Sequence, residues 1–107
     1  MVKYIKGTSA SKGVAKGQCK IIKSPSDLVK IKKGDILITG MTIPEYVPAM
    51  SICSAIVTDY GGILCHAAIV SREFKIPCIV GTKIATKVLK DKQNVIVNAD
   101  DGIILIS

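Results

Sequence analysis

The chain holds a single histidine, His66, which follows a glycine pair by four residues in the run AIVTDYGGILCHAAIVSREF. Strand, glycine turn and helix start, in that order, make a general anion-binding device. Glycines let the backbone present N–H groups, and the helix end adds unpaired donors and partial positive charge. A neutral imidazole in the first turn of that helix is a competent nucleophile near pH 7. A phosphoryl group formed on its ring would lie beside the donors that stabilise it. His66 is thus the candidate catalytic residue, as phosphoryl acceptor, with Gly61, Gly62 and Cys65 as a candidate phosphate cradle.

The same residues allow other chemistry. A first-turn histidine can cap or pack with no reaction at all. Cys65 could be a nucleophile with His66 as its base, but adjacent helical residues point about 100° apart and no third group orients the pair. Cys53, Cys65, His66 and Cys78 lack standard metal-ligand spacing, so no metal site is expected. Thr58 and Asp59 end the strand before the glycines, where ligand-facing residues of mixed sheets lie. With Arg72, six residues past His66, they are candidates to face a partner. For Arg72 a solvated helix face is the plain alternative.

The elements that must position these residues carry clear signals. Lys3 to Lys6 reads as a short strand. Gly13 to Lys23 reads as a longer one, with Gly17 at a bulge. SPSD (Ser24 to Asp27) caps a helical turn through Leu28 and Val29. KKGD (Lys32 to Asp35) turns into the strand ILIT (Ile36 to Thr39). Pro44 suits a helix start, and Pro48 keeps that helix short or irregular. Ser54 to Asp59 is a buried strand. The helix after the glycines runs from Leu64 or Cys65 to Phe74, with Ile63, Ala67, Val70 and Phe74 on one apolar face, and Ile76-Pro77 ends it. Cys78 to Gly81 is a strand, and Ala85 to Leu89 a helical turn. Asn94 to Ala99 and Gly102 to Ser107 form a hairpin over an Asp-Gly turn. Several strands, one main helix and more strands make a mixed α/β domain, not a regular βαβ repeat.

Composition sets outer bounds. The 107 residues suit one domain, spanning 1–107, with one real core. Nearly half are hydrophobic and few are aromatic, which favours sheet. No apolar run approaches the roughly 18 residues of a membrane span, and the N-terminus lacks a signal-peptide core, so a cytoplasmic location is expected. The four cysteines form no CxxC pair and read as buried free thiols. The net charge of +7 is uneven. Residues 1–33 hold nine lysines and one acid, for +8, and the remainder sums to −1. No recognition motif or interleaved aromatic accompanies the lysines, so nucleic acid is not the expected partner. Lys16, Lys20 and Lys23 read as a solvated strand face.

The stretch Thr58 to Thr82, TDYGGILCHAAIVSREFKIPCIVGT, closely resembles the phosphohistidine signature of the phosphoenolpyruvate-utilising enzymes, a family that includes pyruvate phosphate dikinase and phosphoenolpyruvate synthase. GVAKGQCKII, SPSDL, KKGDILIT, TIPEYVPAM and KVLKDKQNVIVNADDGIILI extend the resemblance over nearly the whole chain. It implies a swivelling β/β/α domain. It implies that His66 is phosphorylated at one active site and then delivers the group at another, with Gly61 and Gly62 shaping the phosphate-facing loop. The partner sites are an ATP-grasp nucleotide domain and a phosphoenolpyruvate/pyruvate barrel, which 107 residues cannot include. ATP and Mg²⁺ are therefore expected on those partner domains and no cofactor on this chain. Some dikinases carry a regulatory threonine two residues before the histidine. Leu64 stands there, so that regulation is not expected. A regulatory or binding module that keeps the fold without the transfer is the competing expectation.

Overall fold

ILIT, AIVT and CIV show no polar alternation, as expected of strands covered on both faces. They form the centre of the molecule, and every residue in them is buried. In the computed structural model, which describes residues 3–106, the strands are β1 (Lys3–Lys6), β2 (Thr8–Ser11), β3 (Val14–Ile22), β4 (Ile36–Thr39), β5 (Ala55–Thr58), β6 (Cys78–Val80), β7 (Asn94–Asn98) and β8 (Ile103–Ile106). The helices are α1 (Val47–Met50), α2 (His66–Phe74) and α3 (Ala85–Val88), with 3₁₀ turns at Pro25–Lys30 and Pro44–Tyr46. Ser107, the last residue of the expected hairpin, lies outside the described residues.

The strands follow the order β1-β8-β7-β3-β4-β5-β6-β2. β3, β4, β5 and β6 run parallel, and the other neighbours are antiparallel. β3 belongs to two sheets. Val14 to Gln18 pair with β7, and Cys19 to Ile22 pair with β4. β1 and β2 lie at opposite ends of the order, yet only Gly7 separates them in the chain. The chain therefore turns the corner between the sheets twice, between Gln18 and Cys19 next to Gly17, and at Gly7. A Cβ at Gly17 would sit 2.4 Å from the Gly34 carbonyl oxygen, and one at Gly7 would sit 2.5 Å from the Ile79 side chain. Only glycine lets the backbones approach this closely.

The layers follow from which side chains share a core. Ile36, Ile38, Val57 and Ile79 pack with Ile5, Val95, Val97 and Ile104 between the two sheets. Leu37, Ile56, Cys78 and Val80, from the opposite face of the same strands, pack with Ala67, Ala68, Ala49 and Met50 of the helices. The result is a mixed α/β domain of two sheets and a helical layer.

Four features differ from the sequence expectation. β2 reads TSAS, polar and without alternation, and is a strand because it pairs with β6. The β3 register on β7 is unbroken from Val14 to Gln18, so Gly17 is not a bulge and stands just before the corner. The irregularity lies between Ser9 and Ser11. On α2 the buried residues are Ala67, Ala68 and Ser71, whereas Phe74 and Ile63 are exposed. Small side chains let this helix lie close on the sheet, and a bulky face would hold it away. Lys20 is buried, its Nζ 2.7 Å from Asp35 Oδ2.

Carboxylates also tie the surface turns. Asp91 accepts the Ile21 N–H at 2.7 Å and Lys30 Nζ at 3.0 Å, and Asp27 accepts the Lys23 N–H at 2.9 Å. The backbone donors chiefly, with Lys30 adding, hold both carboxyls below the usual 3.8. Stability from a lowered carboxyl is present above the unfolded value and is lost as pH falls through the folded one. The melting temperature should stay level down to about pH 5 and drop below about pH 4, and Asp91→Asn should shrink the drop. Thermal melts across that range check this. An equal drop in the variant would remove Asp91 from the account.

Candidate functional site

β4 and β5 run parallel in register, with Thr39 opposite Thr58. The segments leaving their carboxyl ends, Gly40 to Ile43 and Asp59 to Cys65, therefore emerge side by side, the usual place for a site in a sheet of this kind. At Gly61 the backbone adopts φ +101°, and a Cβ there would lie 2.5 Å from Met41 Cε and 2.8 Å from Cys65 Sγ. Glycine alone fits this turn. Gly62 borders open space, and its carbonyl accepts the Cys65 N–H at 3.0 Å.

Cys65 is the N-cap of α2, and His66 is the first helical residue. No side chain caps the N-terminus and no acidic residue stands in the first turn. The donors and positive end of α2 thus have neither a side-chain cap nor a first-turn carboxylate, an arrangement that favours an external anion. The helix ends at Lys75 in the left-handed conformation, and the Ile76 N–H returns to the Ser71 carbonyl at 3.1 Å.

The His66 ring is half-buried, and its Nδ1 lies 2.7 Å from Thr42 Oγ1. Thr42 is 2% exposed, so the contact reaches the half-buried ring from a buried side chain. Sequence reasoning did not single out Thr42. The available signal was its place just past β4, beside the strand that leads to the glycines. If Nδ1 carries the proton and donates to Thr42 Oγ1, the lone pair is on Nε2.

The other site candidates take structural places. Thr58 and Asp59 are buried. The Thr58 carbonyl accepts the Thr82 N–H and hydroxyl at 3.1 and 3.0 Å, and its own hydroxyl donates to the Tyr60 carbonyl at 2.6 Å. The Asp59 carboxylate accepts the N–H and hydroxyl of Thr86 at the start of α3. Together they anchor the floor beneath the glycine turn. Arg72 is exposed, yet its guanidinium donates to the Ala10 carbonyl at 2.9 Å and the Ile63 carbonyl at 2.7 Å, clamping α2 to β2 and to the loop before His66. Cys65 is half-buried and the other three thiols are buried. Burial pushes Cys19, Cys53 and Cys78 up to about 12, so they stay protonated and inert. Among the described residues no three of His, Cys, Asp and Glu are grouped to hold a metal ion. None of the described helices is long and apolar enough to cross a membrane.

Comparison with known proteins places this geometry. The family described as PEP-utilising enzyme, mobile domain (PEP, phosphoenolpyruvate) matches residues 31–102. A probable phosphoenolpyruvate synthase of Archaeoglobus fulgidus is 55% identical over 100 residues, which is 94% of this chain and 13% of that protein. The phosphoenolpyruvate synthase of Pyrococcus furiosus is 52% identical over 94% of this chain and 12% of its own length. The chain thus spans about an eighth of these relatives. Among solved structures, an Enzyme I protein (nEIt) superposes with a TM-score of 0.64 at 27% identity, over 75% of this chain and 33% of the other. Thermococcus kodakaraensis aconitase X superposes with a TM-score of 0.73 over 98% of both chains at 20% identity, a likeness of fold alone.

Proposed function

The chain belongs to the family of PEP-utilising enzyme mobile domains, and on that premise we propose that it carries a phosphoryl group on Nε2 of His66. The observation that carries the proposal is the Thr42 Oγ1 contact at 2.7 Å to Nδ1. With Nδ1 engaged there, Nε2 is the ring nitrogen left for chemistry, at the head of a helix with no side-chain cap and no acidic residue in its first turn. In the transfer, the Nε2 lone pair forms the N–P bond as the bond from phosphorus to the donor's leaving oxygen breaks, and that oxygen keeps the electron pair. The positive charge that builds on the ring is shared with the Nδ1–H, which the Thr42 oxygen accepts. The reverse sequence at a second site hands the group on.

This divides one transfer between distant sites into two local ones and requires the domain to move between them. The partners we propose are an ATP-grasp nucleotide domain and a phosphoenolpyruvate/pyruvate barrel. Mg²⁺ and ATP are held there, and this chain supplies the nucleophile and part of the anion cradle. Partners of this kind put the reaction in the cytoplasm.

The test uses a phosphoenolpyruvate synthase whose own mobile-domain histidine is replaced by alanine, shown competent by rescue with its own excised mobile domain. Supplied with labelled phosphoenolpyruvate or ATP, it should place an acid-labile phosphoryl group on this chain and none on His66→Ala. Two-dimensional phosphorus–proton NMR should assign the group to Nε2. Equal absence of label from both chains overturns the proposal and favours a binding module that retains only the fold.

A further inference from the structure

A groove of about 420 Å³ lies between β2 and the C-terminal end of α2, lined by Ser9, Ala10, Ser11, Lys12, Arg72 and Lys75. Three of these residues are basic and none is acidic. Among the described residues, none of the three takes part in an ion pair. Glu73, beside Arg72 in sequence, does not line the groove. Neither does Asp100, whose carboxylate accepts the Gly13 N–H at 3.0 Å.

Cations at the end of a helix commonly serve the helix itself, by bonding its last carbonyls. Here the Arg72 and Ser71 carbonyls are taken by the N–H groups of Lys75 and Ile76, at 3.3 and 3.1 Å. The Arg72 side chain reaches elsewhere, with Nη1 donating to the Ala10 carbonyl at 2.9 Å and Nη2 to the Ile63 carbonyl at 2.7 Å. Those bonds fix the guanidinium and use two of its five N–H donors, so three remain on a group already oriented. Ser11 adds an independent observation. It is 9% exposed, yet its hydroxyl makes no hydrogen bond among the described residues. A hydroxyl so covered normally has a partner. Its oxygen is not sealed in, unlike that of Ser71, and the residue lines the groove.

We propose that this groove binds a compact oxyanion of the phosphate type, held by the free edge of Arg72, the hydroxyls of Ser9 and Ser11, and the ammonium groups of Lys12 and Lys75. A dianion with four oxygens matches three cations and two hydroxyls set on two elements. A monocarboxylate brings half the charge and fewer oxygens. The site is distinct from the head of α2, because His66 opens that helix and Lys75 caps its far end, about 13 Å away at the helical rise. The inference goes beyond the phosphoryl-acceptor reading of His66 and does not need it. Arg72 nevertheless joins the two places, since the guanidinium that lines the groove also holds the Ile63 carbonyl, three residues before His66. An anion on its free edge immobilises the guanidinium and so keeps that bond closed, which couples occupancy of the groove to the order of the turn before His66.

The test titrates the isotope-labelled 107-residue chain with inorganic phosphate at constant ionic strength and follows its amide shifts. Ser9, Ser11, Lys12 and Lys75 should move along one saturating curve with a dissociation constant of about 1 mM, and Ile63 should follow with the same midpoint. Sulfate should compete, and acetate should leave these amides in place. Glycerol phosphate that binds at least about threefold tighter than inorganic phosphate identifies a phosphate ester as the occupant, and equal or weaker binding identifies the free ion. Ser11→Ala should weaken binding by about tenfold, the worth of one hydrogen bond to a charged group. His66→Ala should bind as the wild type does. No saturation by about 50 mM phosphate, an equal response to acetate, or unchanged binding in Ser11→Ala shows an adventitious ion only and overturns the proposal. Shifts confined to the head of α2 and lost in His66→Ala overturn it as well, and leave the phosphoryl-acceptor reading standing.

Discussion

Valine at position 42 is expected to slow phosphorylation of His66 by about a hundredfold without unfolding the chain. Thr42 is 2% exposed, and valine keeps its shape while removing the one oxygen within 2.7 Å of Nδ1. Two things are then lost. The ring is free to turn, so Nε2 no longer points at an incoming phosphorus. The neutral imidazole is also free to place its proton on Nε2, which removes the nucleophilic lone pair from a share of molecules. Serine restores the oxygen and should recover most of the rate. Nitrogen chemical shifts of the ring should report a mixture of tautomers in Thr42→Val and a single one in the wild type and in Thr42→Ser, a signature that loss of packing alone would not produce. A valine variant with wild-type kinetics and shifts would show that Thr42 plays no part in aiming the ring.

Alanine at position 35 is expected to cost about 3–5 kcal/mol of folding stability, the usual penalty for stranding one member of a buried ion pair. Asp35 accepts Lys20 Nζ at 2.7 Å and the Lys32 N–H at 2.8 Å, and both side chains of the pair are about nine-tenths covered. Removing the carboxylate leaves an ammonium whose other recorded contact is the Lys30 carbonyl at 3.4 Å. Against typical domain stabilities of about 5–15 kcal/mol the loss is large. Replacing both residues, Lys20→Met with Asp35→Leu, should restore much of it, because the pair gains little over apolar packing. Denaturant unfolding of the single and double variants measures this. A loss below about 1 kcal/mol in Asp35→Ala would class the pair with exposed salt bridges.

What the sequence revealed of this molecule is what physics writes locally. The uninterrupted aliphatic runs at Ile36, Ala55 and Cys78 announce buried parallel strands. Pro44 and Pro48 announce the broken short helix between them. The glycine pair before His66 announces a helix start, and α2 begins there. What was not legible depends on partners distant in the chain. Thr42 meets His66 across 24 positions only because β4 and β5 align. Lys20 fits an alternating solvated strand until Asp35 arrives, fifteen residues on, to neutralise it. The α2 periodicity picked Ala67, which is buried, and Val70, which packs partly on the core, but also Ile63 and Phe74, which are exposed; a helix set close on a sheet buries its small residues, Ala68 and Ser71 with Ala67. Arg72, read for its charge, serves as a clamp on two carbonyls.

The two corners, at Gly7 and just past Gly17, bear on how the domain comes apart. β3 supplies ladder partners to β7 with one half and to β4 with the other, and β1 continues into β2 at the far edge. Neither sheet can peel away while the other stays intact, because the same backbone strands would have to leave both. Partial openings that free one layer are therefore expected to be suppressed, with amide protons on the two sheets exchanging through the same global event. The floor under His66 is part of that single cooperative unit. If the domain is carried between two sites as proposed, it can then be turned and pressed without His66 slipping out of line.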